Sequence, residues 1–146
     1  MRPLLVGESN PYGRDPYFAL WPGPVNSAGW RLCHKILGME RAAYLAAFDR
    51  VNLCAGDWSR AEARRAAERV LRERRAAVAL GARVADALGV EYRRPFRVVE
   101  LPGGQRVAVL PHPSGRCRAW NDPDSYRRAR ETVLTLMALT GEGEVT

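Results

Sequence analysis

Lysine is almost missing from this chain of 146 residues: Lys35 is the only one, so the cationic charge rests on arginine. Cysteine is scarce as well. Cys33, Cys54 and Cys117 are odd in number and far apart, with no C-x-x-C pair and no Cys/His cluster at zinc spacing. That spacing argues against a structural metal or an iron-sulfur cluster, and for a reducing cytosol. No metal or organic cofactor is expected. Long apolar runs are absent too: no segment approaches the length needed to span a bilayer, and the amino terminus carries no long apolar stretch. A soluble, cytoplasmic protein is the expectation. There is no internal repeat and no signal for oligomerisation, so a monomer is expected.

What the chain does contain is positive charge and a core. The formal charge is +7 and the pI about 10.0, a balance that suits a polyanionic partner through phosphate neutralisation. Arginine richness is also what a GC-rich genome produces, so charge alone is a supporting clue. With 47% hydrophobic residues, residues 1–146 are read as one domain, long enough to bury a single core. Its functional site must be assembled from the ends of several elements.

The pattern alternates strand and helix. Arg2-Pro3-Leu4-Leu5-Val6-Gly7 is a compact apolar run closed by glycine, read as a first, central parallel strand. A loop rich in Pro, Gly, Asn and aromatics runs from Glu8 to Phe18 and closes with Trp21-Pro22-Gly23-Pro24. Loops of this length and composition tend to bind ligands. Asn26 or Ser27 caps a helix to Leu37, with Trp30, Cys33, Ile36 and Leu37 on its apolar face and Gly38 as its stop. A second helical piece, Glu40 to Ala47, leads to a strand from Phe48 to Cys54 that carries Asn52.

Ser59-Arg60-Ala61-Glu62 has capping-box spacing and opens a helix to about Arg74, whose arginines read as a solvated face. Ala76 to Gly81 is the next strand and Ala82 to Leu88 the helix behind it. Phe96–Glu100 and Arg106–Leu110 flank the turn Pro102-Gly103-Gly104, as an edge strand and the last core strand. Asp122 and Pro123 supply an N-cap and N1 proline for a final helix to about Leu139, with a frayed tail over 141–146. The fold class is therefore α/β: a three-layer α/β/α sandwich around a central, mainly parallel four-stranded sheet with right-handed crossovers.

The apolar run Val107-Ala108-Val109-Leu110 stops at Pro111-His112-Pro113-Ser114-Gly115, a strand emptying into a rigid polar loop. Open α/β sheets keep their chemistry at that carboxyl edge. If the strands ending near Gly7, Cys54, Gly81 and Leu110 share it, then Glu8, Asn10, Asn52 and His112 can converge.

Taken together, Val6-Gly7-Glu8-Ser9-Asn10-Pro11, the strand bearing Asn52, the Leu80-Gly81 strand-helix turn and Leu110-Pro111-His112-Pro113-Ser114-Gly115 resemble the uracil-DNA glycosylase superfamily. The similarity runs in order from about Leu4 to Leu139. Asn10-Pro11 followed by Phe18-Ala19 is similar to the mismatch-specific and single-strand-selective branches, Gly7-Glu8 to the thermophilic iron-sulfur branch, and His112-Pro113-Ser114 followed by Arg116 to the single-strand-selective type. The chain also departs from the family pattern: Pro11 falls one residue later than usual after the glycine, as if Ser9 or Asn10 were inserted. Anchoring on proline makes Asn10 the water-positioning counterpart, whereas anchoring on glycine leaves Glu8. The cluster cysteines of the iron-sulfur branch are absent.

The resemblance implies a role for each residue. An extruded base would stack on Phe18 and be read by the Asn52 amide. Tyr12 would close the pocket against a thymine methyl. His112 would donate to the base oxygen on which charge gathers, while Asn10 or Glu8 holds a water at the sugar carbon. Ser114 and Gly115 would contact a phosphate, with Arg116 and Arg118 in or against the groove. Read without the resemblance, His112 is a loop histidine bonded to backbone, Asn10 a turn asparagine, Asn52 a strand-end cap, Phe18 core and Ser114 a turn former. Cys117 lies near His112, but no third group is in place to orient a base for a thiolate.

The expected activity is hydrolysis of the N-glycosidic bond of uracil, or a related damaged pyrimidine, in DNA. Two alternatives stand beside it: a non-catalytic nucleic-acid-binding protein of the same fold, and a hydrolase for another modified base or nucleoside.

Overall fold

A computed structural model of the protein describes residues 1–10 and 13–144, the side chains of 141–144 excepted. The strands are β1 (Leu4–Ser9), β2 (Asp49–Cys54), β3 (Ala77–Leu80), β4 (Arg97–Glu100) and β5 (Arg106–Leu110). The helices are α1 (Ala28–Trp30), continued by a π-helical segment Arg31–Ile36, then α2 (Arg41–Ala47), α3 (Arg60–Glu73), α4 (Ala82–Ala87) and α5 (Asp124–Glu144).

The sheet has five strands in the order β2-β1-β3-β5-β4, one more than the four expected. The fifth is β4, antiparallel to β5 through the Pro102-Gly103-Gly104 turn, while β1, β2, β3 and β5 are mutually parallel. β3 lies in the middle, and β1 is an inner strand between β2 and β3. The chain leaves β1 first toward β2, then crosses back over it to β3. A constant crossover hand puts the connecting helices of those two journeys on opposite faces.

Strand alternation builds both faces at once. Leu4 and Val6, Ala77 and Ala79, and Val107 and Val109 point toward α3 and α4, where Ala63, Ala66, Ala67 and Val70 supply a stripe at helical spacing. Leu5, Val78, Leu80, Ala108 and Leu110 point the other way, onto Leu32, Cys33, Ile36 and Tyr44 and onto Ala129, Val133 and Leu136 of α5. The result is the three-layer α/β/α sandwich.

Several local expectations change in detail. Gly7 does not end β1, which pairs on to Ser9 opposite Cys54. The helix capped by Ser27, whose Oγ accepts from Trp30 N at 3.2 Å, unwinds to π geometry after one turn. Leu37 N donates to Leu32 O, the i to i+5 bond of a π turn, while Leu32, Cys33 and Ile36 stay buried against the sheet. Only half of the capping box forms: Ser59 Oγ accepts from Glu62 N, but the Glu62 carboxylate accepts from Ala55 N instead of Ser59 N. The last helix continues past Leu139 and Gly141 to Glu144. Of the arginines from 60 to 75, Arg75 is not solvated. It donates to the Arg2 carbonyl and the Asp49 carboxylate at the amino end of the sheet, which holds the Asp49 carboxyl below its ordinary range.

No helix among the described residues is long and apolar enough to cross a membrane.

Candidate functional site

The carboxyl edge of the sheet is where the registers converge. Gly7 pairs with Asn52, Val6 with Ala79, and Leu80 with Leu110. The chain turns sharply at both inner strand ends. Gly81 sits at φ +99° and passes so close to the next loop that a Cβ there would stand 3.2 Å from the Cβ of His112. Only glycine combines that backbone with that approach.

His112 is held on three sides. Trp120 Nε1 donates to its carbonyl at 2.7 Å. Ser114 N donates to its Nδ1 at 3.1 Å, which leaves the proton of the neutral ring on Nε2. Nε2 lies 3.7 Å from Glu8 Oε2, with the two side chains 32% and 22% exposed. That separation is longer than a hydrogen bond, so the Nε2 proton is not committed to the carboxylate. Burial pushes the His112 pKa below its ordinary 6.5, the Glu8 carboxylate pulls it back up in part, and Arg83 pushes it down again. Above pH 6.5 the ring is neutral, a donor through Nε2.

Beside this pair opens a cavity of about 630 Å³, within the size range of small-molecule sites. Asn10, Phe18, Trp21, Gly29, Arg41 and Asn52 are among its walls. Asn52 Oδ1 is buried there without a hydrogen-bond partner. It packs over the Cα of Gly7, where a Cβ would meet it at 2.5 Å. A buried acceptor left unpaired costs about 1–3 kcal/mol. Asn10 is held by a bond from its Nδ2 to the Phe18 carbonyl at 3.3 Å. Phe18 ends a 3₁₀ turn, Pro16–Phe18, is 44% exposed rather than core, and packs edge-on against Trp21.

The structure therefore divides the expected residues into two adjoining groups. Asn10, Asn52 and Phe18 share the cavity; Glu8 and His112 form a pair at its side, and neither is among the cavity's lining residues. Ser114 Oγ accepts from Arg116 N at 3.1 Å, a turn within the loop, and Gly115, Arg116 and Arg118 are exposed. Tyr12 lies outside the described residues.

Four contributors were not anticipated. Trp21 and Arg41 line the cavity, with the Arg41 guanidinium 5.7 Å from the Trp21 ring centre. Trp120 fixes the His112 loop, and Arg31 Nε donates to the Pro113 carbonyl at 3.1 Å. Trp21 stood in the aromatic loop and could have been read from it. The others come from helices or turns whose local patterns say nothing of the loop they reach.

The described residues contain no group of three or more His, Cys, Asp or Glu placed to hold a metal ion. No family model matches the chain, and no curated protein is found similar to it.

Proposed function

We propose that this protein is a DNA glycosylase that hydrolyses the N-glycosidic bond of uracil, or of a related damaged pyrimidine, extruded from DNA. The observation that carries the reading is the Asn52 amide: its oxygen is buried without a hydrogen-bond partner, and the residue lines a cavity that also presents an aromatic ring, at the carboxyl ends of β1 and β2. A planar base with adjacent N–H and C=O groups satisfies such an amide and stacks on Phe18. The resemblance to the uracil-DNA glycosylase superfamily supports the same assignment.

In this reading, the neutral His112 donates Nε2–H to the base oxygen as the bond breaks and negative charge gathers on the leaving group. Asn10, which lines the cavity, orients the water at the sugar carbon. Glu8 acts through His112, holding the ring by its charge and offsetting the positive charge of the sugar. Ser114 and the exposed Arg116 and Arg118 meet the phosphates.

The test is release of uracil from an oligonucleotide offered single-stranded and opposite guanine or adenine. Abasic sites should appear with the parent chain. His112→Ala and Asn52→Asp should each lower turnover by about 100-fold or more, as loss of one pre-aimed donor or reader does, with DNA affinity far less affected. Parent-like cleavage by both variants would remove the site assignment.

A second reading draws on a specific observation: the cavity is lined without His112 or Glu8. A base-binding protein that does not cleave needs only the Asn52 and Phe18 side of the site. It would bind DNA in a salt-sensitive manner and yield no abasic product from any substrate.

A further inference from the structure

The wall of the cavity has an outer side. Tyr17, next to Phe18 in the 3₁₀ turn, is 60% exposed and is not among the cavity's lining residues. Its ring stands edge-on to Phe18 with centres 5.1 Å apart and tilted against Trp21 at 5.4 Å. The Arg50 guanidinium lies 5.8 Å from the Tyr17 ring centre and 5.3 Å from that of Trp21. Arg50 is itself fixed by donation to the Ala19 carbonyl at 2.9 Å. The turn is pinned from its start, since Asp15 Oδ1 accepts from Tyr17 N at 3.0 Å. An exposed aromatic ring is therefore held rigidly, with a cation against it, continuous with the two rings that enclose the cavity.

We infer that Tyr17 is a second stacking platform, taking the unpaired base that neighbours the extruded nucleotide on the same DNA strand, with Arg50 reinforcing the stack. The chemistry favours a nucleobase over an apolar partner. Aromatic faces paired with guanidinium groups are how single strands are held without sequence preference, and the chain's charge of +7 favours the adjoining phosphates. In a duplex the neighbouring base stays paired and stacked within the helix, so the platform serves single strands.

The inference rests on the proposed site for where the strand lies, and one experiment separates the two. Affinity is measured for a short single-stranded oligonucleotide carrying uracil with 2-aminopurine beside it, and for the corresponding duplex, using the parent, Tyr17→Ala, Tyr17→Leu and Tyr17→Phe. Stacking of the neighbour predicts quenched 2-aminopurine fluorescence with the parent. Tyr17→Ala and Tyr17→Leu should lose the quenching and bind the single strand roughly tenfold or more weakly, the scale of one base-aromatic stack. Tyr17→Phe should restore both, and duplex affinity should move little. Equal losses on single strand and duplex, or parent-like behaviour of Tyr17→Leu, would overturn the platform, because the ring would then be only an apolar wall. Base release with no Tyr17 effect would sink the platform and keep the glycosylase, whereas a Tyr17 effect without base release would do the reverse.

Discussion

At the residue scale, the protonation of His112 is where environment decides chemistry. Burial disfavours the imidazolium more than the Glu8 carboxylate favours it, so the ring's pKa lies below 6.5. A group whose folded pKa is depressed contributes stability that is complete above its unfolded value and is lost as the pH falls through the folded one. Both stability and the neutral donor are thus retained above pH 6.5 and lost in the acid range below it. Glu8→Gln removes the one influence that raises this pKa. The acid limb of the pH–rate profile should move to lower pH in that variant, and the His112 ring signal in an NMR titration, identified by its loss in His112→Ala, should follow. A shift to higher pH would mean that the carboxylate does not act on His112 as its position implies.

At the scale of elements, the site depends on how closely α1 is seated against the loop before it. A Cβ added at Gly29 would stand 2.1 Å from the Trp21 carbonyl oxygen and 2.5 Å from the Leu20 carbonyl carbon, both backbone atoms that cannot swing aside. Leu20 already adopts φ +52°, unusual for a residue with a side chain, and its carbonyl accepts from the buried Tyr44 hydroxyl at 2.8 Å. Gly29→Ala should therefore cost about 1–3 kcal/mol or more, the range for overpacking, read as a fall in the midpoint of chemical unfolding. It should also displace Trp21 and weaken ligand binding at the cavity. An unchanged midpoint would show that the helix has room the geometry denies it. Gly29 was invisible to local reading, because a glycine in a first helical turn carries no signal of the backbone packed against it from eight residues earlier. The capping residues Ser27 and Ser59, and the stop at Gly38, by contrast, were legible, since each acts on neighbours within its own turn.

At the scale of the whole molecule, the excess of arginine is what the proposed DNA partner would meet. Arg116 and Arg118 lie exposed on the loop that carries His112, and Arg14 and Arg41 line the cavity. If phosphates are neutralised here, log affinity for undamaged DNA should fall linearly with log salt, and the double substitution of Arg116 and Arg118 by Ala should reduce the slope by about two, one per lost contact. A titration across salt concentrations checks this. An unchanged slope would move the DNA path off the loop.

The division between chain and fold follows from the range of the forces involved. Alternating apolar residues, helix caps, the Pro102-Gly103-Gly104 turn and the strand that empties into Pro111-His112-Pro113 were determined by the sequence itself, because side-chain periodicity and backbone preference act over a few residues. The three-layer class and the carboxyl edge as meeting place followed from them. The π-helical turn at Arg31–Ile36 and the seat of Arg75 between β1 and β2 were decided by packing. So was the arrangement of the site. Asn10 and Glu8 are neighbours but one in sequence, yet the pleat of β1 and the turn after it send Glu8 to His112 and Asn10 to the cavity of Asn52. Which residues meet across such separations depends on strand order and on how closely glycines let backbones approach, and those exist only once the sheet is assembled.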